Sequence, residues 1–188
     1  SHNNTKRGVR LLCVALALTV VTAVIMPMMH FEGAEIYFGI LHLLSLSMLI
    51  FSVLRAGLDK INPIVGIIIC IAIYIFTYGV SAGYVGIAGL KTFNLPAVLY
   101  RTNYFMPLGF FNSSFHSADY FPLLPHLFMF LTGTFVGVYA TNGRFPAFTY
   151  RQRSKALCFL GRHALVIYIA HQPIIYGILW VVEKIIAK

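Results

Sequence analysis

Charge is the scarce commodity in this sequence. Only 10% of its 188 residues are Asp, Glu, Lys or Arg, and five of them are acids. A soluble domain carries about 25%. Such a deficit excludes a chain wetted on all sides, and the 59% hydrophobic content and mean hydropathy of +0.82 point to lipid as the solvent. Other absences narrow the function. The three cysteines (Cys13, Cys70, Cys158) sit in apolar segments with no CxxC spacing, so they read as packing residues rather than a disulfide or metal site. No HxxxH or HExxH pair and no cluster of carboxylates suggests a metal, and no Gly-rich phosphate loop is present. No apolar stretch holds an isolated acid at mid-depth, which argues against a proton-coupled pump. The net charge of +9 would suit nucleic acid, but no basic run is long and the aromatics lie inside apolar stretches. Nucleic acid is therefore excluded as a partner.

What is present is a series of apolar runs. A helix needs about 20 mainly apolar residues to cross a bilayer, and five stretches qualify: 9–28, 36–54, 63–80, 120–140 and 156–182. Pro63 suits a first helical turn. The expected architecture is an all-α polytopic bundle of about five spans, forming one membrane domain. Basic residues collect on the cytoplasmic side of membrane proteins. Ten of the 14 Lys and Arg fall on one side of the alternation: Lys6, Arg7, Arg10, Arg55, Lys60, Arg144, Arg151, Arg153, Lys155 and Arg162. Lys91, Arg101, Lys184 and Lys188 fall on the other. This predicts the amino end inside and the carboxyl end outside. The connection 81–119 is long, apolar and aromatic, and is expected on the outer side as an interfacial anchor or a cover over a cavity.

Polar groups in hydrocarbon are costly and normally face a neighbouring helix or a wet cavity. His42 and Ser45 share a helix face, either as glue between helices or as site groups. Tyr74, Tyr78 and Ser81 make a polar stripe, readable as an interfacial belt or a cavity wall. Ser117 is a candidate N-cap for the next helix, and Asp119 suits a helix start. Asp119 also lies near His116 and His126, and an acid beside an imidazole orients it as a base. Gly133 and Gly137 form a GxxxG, a weak signal for close helix contact. In the last span, Tyr168, His171, Gln172 and Tyr176 share a face, and Pro173 marks a kink.

Four segments carry a resemblance. They are Asn4-Thr5-Lys6-Arg7-Gly8; Phe38-Gly39-Ile40-Leu41-His42; Ser117-Ala118-Asp119-Tyr120-Phe121-Pro122-Leu123-Leu124-Pro125; and Gly161-Arg162-His163-Ala164-Leu165-Val166-Ile167-Tyr168-Ile169-Ala170-His171-Gln172-Pro173. In this order they resemble the heparan-α-glucosaminide N-acetyltransferase-like family, above all its short bacterial members. The resemblance implies a membrane acyltransferase in a bacterial plasma membrane, moving an acetyl group from cytoplasmic acetyl-CoA to a sugar or glycan on the far side. Such proteins resemble one another in opening with an Asp-x-x-Arg-Gly element and a helix ending in a histidine. Neither occurs here, so an amino-terminal segment of the same protein is expected to complete the enzyme, and this chain's activity alone stays open. A second copy of the chain stays open as a partner.

On this reading His42, His116, Asp119 and His171 are the candidate catalytic residues, with the acceptor near His116 and Asp119. His42 and His171 are expected to line the passage between donor and acceptor. Arg151, Arg153, Lys155 and Arg162 are expected to meet the phosphates of the donor, for which arginine and lysine are suited. The competing reading is a transporter or membrane assembly subunit for small polar solutes, whose pathway the same polar faces would line.

Overall fold

The computed structural model describes residues 2–28, 33, 35–87, 90, 92–151 and 154–186, which group into two compact units, 1–142 and 143–188. In the first unit α1 (His2–Val20) runs through a π-helical stretch (Val21–Ile25) into α2 (Met26–Met28). It is followed by α3 (Ile40–Leu58), α4 (Pro63–Thr77) and α5 (Leu123–Thr141). Among the described residues four helices are long and apolar enough to cross a membrane: Asn3–Met28, Ile40–Leu58, Pro63–Ala82 and Leu123–Thr141. The protein is an all-helical integral membrane protein, with a minimal antiparallel pair of β1 (Tyr84–Val85) and β2 (Phe93–Asn94) as its only described strands.

α1 packs along α3, and α4 along α5, while α3 also touches α5. The first seam is built from small residues. Gly8, Ala15 and Thr22 recur every seventh position and are all buried, while most of the rest of α1 is exposed. A Cβ on Gly8 would lie 3.0 Å from Leu49, so the glycine lets the two backbones approach. At the second seam the ring of Phe135 occupies the space a Gly66 side chain would need, 2.5 Å from its ideal Cβ. The GxxxG glycines do not serve this purpose, since nothing described lies within 4 Å of a Cβ at Gly133 or Gly137. Two apolar clusters fill the middle of the unit, one around Phe38, Leu43 and Leu123, the other around Cys70, Leu131 and Phe135.

Helix starts follow capping chemistry. Asn62 Oδ1 accepts the Ile64 N–H at 3.0 Å ahead of Pro63, as the sequence suggests. The helix expected from Ile36 begins at Ile40, because Glu35, Tyr37 and Phe38 give their backbone groups to residues 117–121. The expected last span is divided. Lys155–Arg162 forms a short helix, α6, which ends at His163, and α7 runs Ala164–Ile186.

The described residues of the connection 83–122 fold back on α4 and on one another. The hairpin is tied to α4 by the Gly86 N–H on the Phe76 carbonyl (3.0 Å), and the Leu95 N–H on the Gly83 carbonyl (2.9 Å) closes the hairpin itself. The Tyr100 hydroxyl donates to the Val80 carbonyl, and that of Tyr120 to Met106 at 2.6 Å. Burial pushes both phenols above their ordinary range, so they remain donors.

Candidate functional site

The site in the first unit forms where two stretches far apart in sequence meet. Residues 35–38 run parallel to 118–121: the Ala118 N–H donates to the Glu35 carbonyl (2.9 Å) and the Phe121 N–H to Phe38 (3.3 Å). Ser117 Oγ accepts the Tyr37 N–H at 3.3 Å. This pairing brings Asp119 to the start of α3, where its Oδ2 accepts the Ile40 N–H at 3.1 Å. A helix start has unpaired N–H groups and a partial positive charge, and a carboxylate satisfies both. The N-cap residue itself is Gly39, which offers no side chain. Any larger residue would collide, since a Cβ there lies 2.5 Å from Asp119 Oδ2. Ser117 and Asp119 were expected to start the helix that follows them. They instead bind Tyr37 and the start of α3, from another part of the chain, and α5 starts at Leu123.

His42 sits one turn into α3, 5% exposed. Its Nδ1 accepts the Gly39 N–H at 3.3 Å, which completes the cap from the same helix. A backbone N–H can only donate, so the proton of the neutral ring is on Nε2, which donates to Thr19 Oγ1 on α1 at 3.3 Å. Both ring nitrogens are thus engaged, and Asp119 lies within electrostatic reach. Thr22, in the π-helical turn, donates to the Leu18 carbonyl (2.9 Å) and accepts the Ile36 N–H (3.1 Å). Such turns widen the helix by one residue per turn and re-aim its side chains. Here that brings Thr22 to the entry of α3.

His116 is exposed and lies apart from this network. It lines a cleft of about 370 Å³ with Glu35, Tyr37, Asn103, Met106, Ser114 and Phe115. Phe111, Phe115 and Tyr120 stack at centroid distances of 5.1–5.2 Å beneath it. His126 belongs to neither group: its Nδ1–H donates to the Pro122 carbonyl at 3.0 Å and its ring meets those of Tyr74 and Phe121.

In the second unit, Arg151 and Arg162 line a cleft of about 630 Å³ with Phe148, Thr149, Tyr150, Ser154, Leu157 and Cys158. Ser154 Oγ caps α6 by accepting the Leu157 N–H at 3.3 Å. Lys155 is exposed on the first turn of that helix. Arg153 lies outside the described residues. His171 is exposed on α7, and its Nδ1–H donates to the Tyr168 carbonyl. That leaves Nε2 with the lone pair, the opposite arrangement to His42. The side chains of Gln172, Pro173 and Tyr176 lie outside the described residues.

Sequence reading did not single out Thr19, Thr22 or Gly39, or the cleft residues Tyr37 and Asn103. Thr19 and Thr22 carried a signal, as hydroxyls three apart on an otherwise apolar span. The others depend on chain crossings that no local pattern shows.

The profile of the family described as heparan-alpha-glucosaminide N-acetyltransferase, catalytic, matches residues 1–173. The chain belongs to this family. No curated protein and no solved structure matches it. The matched range includes every candidate residue up to His171, and the family supports a transferase-type membrane function.

Proposed function

We propose that the chain carries out acetyl transfer from acetyl-CoA to a sugar or glycan across a bacterial plasma membrane, as part of a full-length enzyme, with its amino end in the cytoplasm. The observation that supports this reading is the family match over residues 1–173, which spans all candidate residues. The donor's phosphates are assigned to Arg151, Arg153, Lys155 and Arg162, because the described members of this set line or flank one cationic cleft. The acceptor is assigned to the cleft of His116, where Tyr37 and Phe115 offer ring faces and Glu35, Asn103 and Ser114 offer polar groups.

Chemically, the acceptor amine or hydroxyl attacks the thioester carbonyl. Its proton passes to an imidazole as the new bond forms, and the coenzyme leaves as a thiol once the carbon–sulfur bond breaks. His116 and His171 are the candidates for that proton transfer. Asp119 and His42 hold the amino end of α3 in place beside the acceptor cleft.

The test is acetyl transfer to glucosamine by the full-length protein in vesicles, with His42, His116, Asp119 and His171 each replaced by alanine. Loss of about 10²–10⁴-fold is expected where a general acid–base group is removed. Undiminished activity in all four variants discards the assignment. Thermal stabilisation by a polar solute but not by coenzyme A would favour the transporter reading, because a ligand of the folded state raises apparent stability by mass action.

A further inference from the structure

The helix α6 carries features that acetyl transfer does not require. It spans eight residues, Lys155–Arg162. At 1.5 Å per residue that is about 12 Å, too short to cross the roughly 30 Å hydrocarbon core. Yet it is sharply two-sided. Lys155 and Arg162 stand seven residues apart on one face, while Ala156, Leu157 and Leu160 make up the other. The apolar side is not packed away: Leu157 is 70% and Leu160 50% exposed. Phe148, Tyr150 and Phe159 are exposed beside it.

Charge around the helix is all of one sign. From Gly143 to Val182 the sequence has five Arg and Lys (Arg144, Arg151, Arg153, Lys155, Arg162) and no acid. Arg151 and Arg162 converge on one cleft. The helix ends abruptly, with the His163 N–H on the Phe159 carbonyl and the His163 Nδ1–H on the same oxygen at 2.9 Å. The next helix, α7, then begins at Ala164.

We propose that α6 is an interfacial helix, lying in the boundary of the bilayer, with Leu157 and Leu160 among the acyl chains and Arg151, Lys155 and Arg162 on the phosphates of anionic lipid. A short helix with an apolar face and a cationic face takes up this position because each face meets the layer it prefers. Cations beside an anionic leaflet add electrostatic attraction that falls off within a Debye length. The exposed leucines, the unbalanced positive charge and the break at His163 are explained together. These cations are the ones assigned above to the donor's phosphates, and leaving out the coenzyme separates the two roles.

The chain has a single tryptophan, Trp180. Trp180→Phe therefore clears the background for a reporter, Leu157→Trp, with Leu160→Trp as a second. The full chain is reconstituted in phosphatidylcholine vesicles with and without phosphatidylglycerol, with no coenzyme or sugar present. Lipids brominated near the headgroup end of the chain should quench both reporters strongly, and lipids brominated at the chain terminus weakly. Phosphatidylglycerol should deepen the shallow quenching, and high salt or the double variant Arg151→Gln, Arg162→Gln should remove that increment. Water-like emission without quenching overturns the proposal, as does equal quenching at both depths, which would make α6 part of a span. A phosphatidylglycerol effect untouched by the double variant overturns the role of the arginines. Because no substrate is used, failure of the acetyl-transfer reading leaves this result unaffected.

Discussion

Gly39 shows how little room the α3 entry leaves. The carboxylate of Asp119, bonded to the next residue, Ile40, crowds it, and one methyl group would enter that carboxylate's space. Gly39→Ala is expected to cost about 1–3 kcal/mol through overpacking, read as a lowered unfolding midpoint in detergent. Asp119→Ala should cost about 0.5–2 kcal/mol, the usual value of a lost cap. Asp119→Asn should recover part of that, because an amide oxygen can still accept the Ile40 N–H. Thr22→Val is a different case, since it strands the Ile36 N–H next to a fully buried Ile36. An orphaned donor costs about 1–3 kcal/mol, so Thr22→Ser should be nearly neutral and Thr22→Val clearly destabilising in the same assay.

At the scale of elements the connection 83–122 makes a pH prediction. Partial burial of the Tyr120 hydroxyl, with the Tyr100 phenol nearby, raises its pKa above the unfolded value of about 10. The folded state therefore holds this proton where the unfolded state has released it. The associated stability is full below the unfolded pKa and is lost as pH rises from there through the folded pKa. Tyr100 acts in the same direction. Unfolding followed by circular dichroism should show stability falling above about pH 10, with a weaker fall in Tyr120→Phe. That variant should also lose roughly 1 kcal/mol at neutral pH with its hydrogen bond.

Elements were also where the sequence was most legible. Apolar runs placed four of the helices to within a few residues at most ends, because lipid demands length and hydropathy from each segment by itself. The exceptions have particular causes. Residues 35–39 are apolar enough to extend a helix, yet they are drawn out to pair with 117–121. Asp119 fitted the pattern of a local cap, but a carboxylate serves any nearby helix start, and the one it serves is distant in sequence. The break at His163 is carried by backbone geometry and one ring–carbonyl bond, and Gly161 in the preceding turn is its only sequence signal.

At the scale of the molecule the four spans alternate in a way that makes the expected orientation testable. With the native cysteines replaced, Lys60→Cys should be labelled by a membrane-impermeant thiol reagent only from the cytoplasmic side, and Tyr104→Cys only from outside. Both residues are exposed, one ahead of the span Pro63–Ala82 and the other after it. Labelling of both from one side would reverse or break the alternation on which the donor and acceptor assignments depend.

The parallel pairing of 35–38 with 118–121 has a consequence beyond holding Asp119 in place. It closes the base of the segment that covers this end of the helices, whose other end is fastened to α4 through Gly86. A segment clamped at both feet can be lengthened or rewritten between them at small entropic cost, about 0.6 kcal/mol for each doubling. Between the clamps Tyr100, on Val80, and Met106, against Phe38, Leu43 and Leu123, need to be kept. A graft that swaps residues between the two clamps should change which molecule is recognised while the helices beneath keep their register.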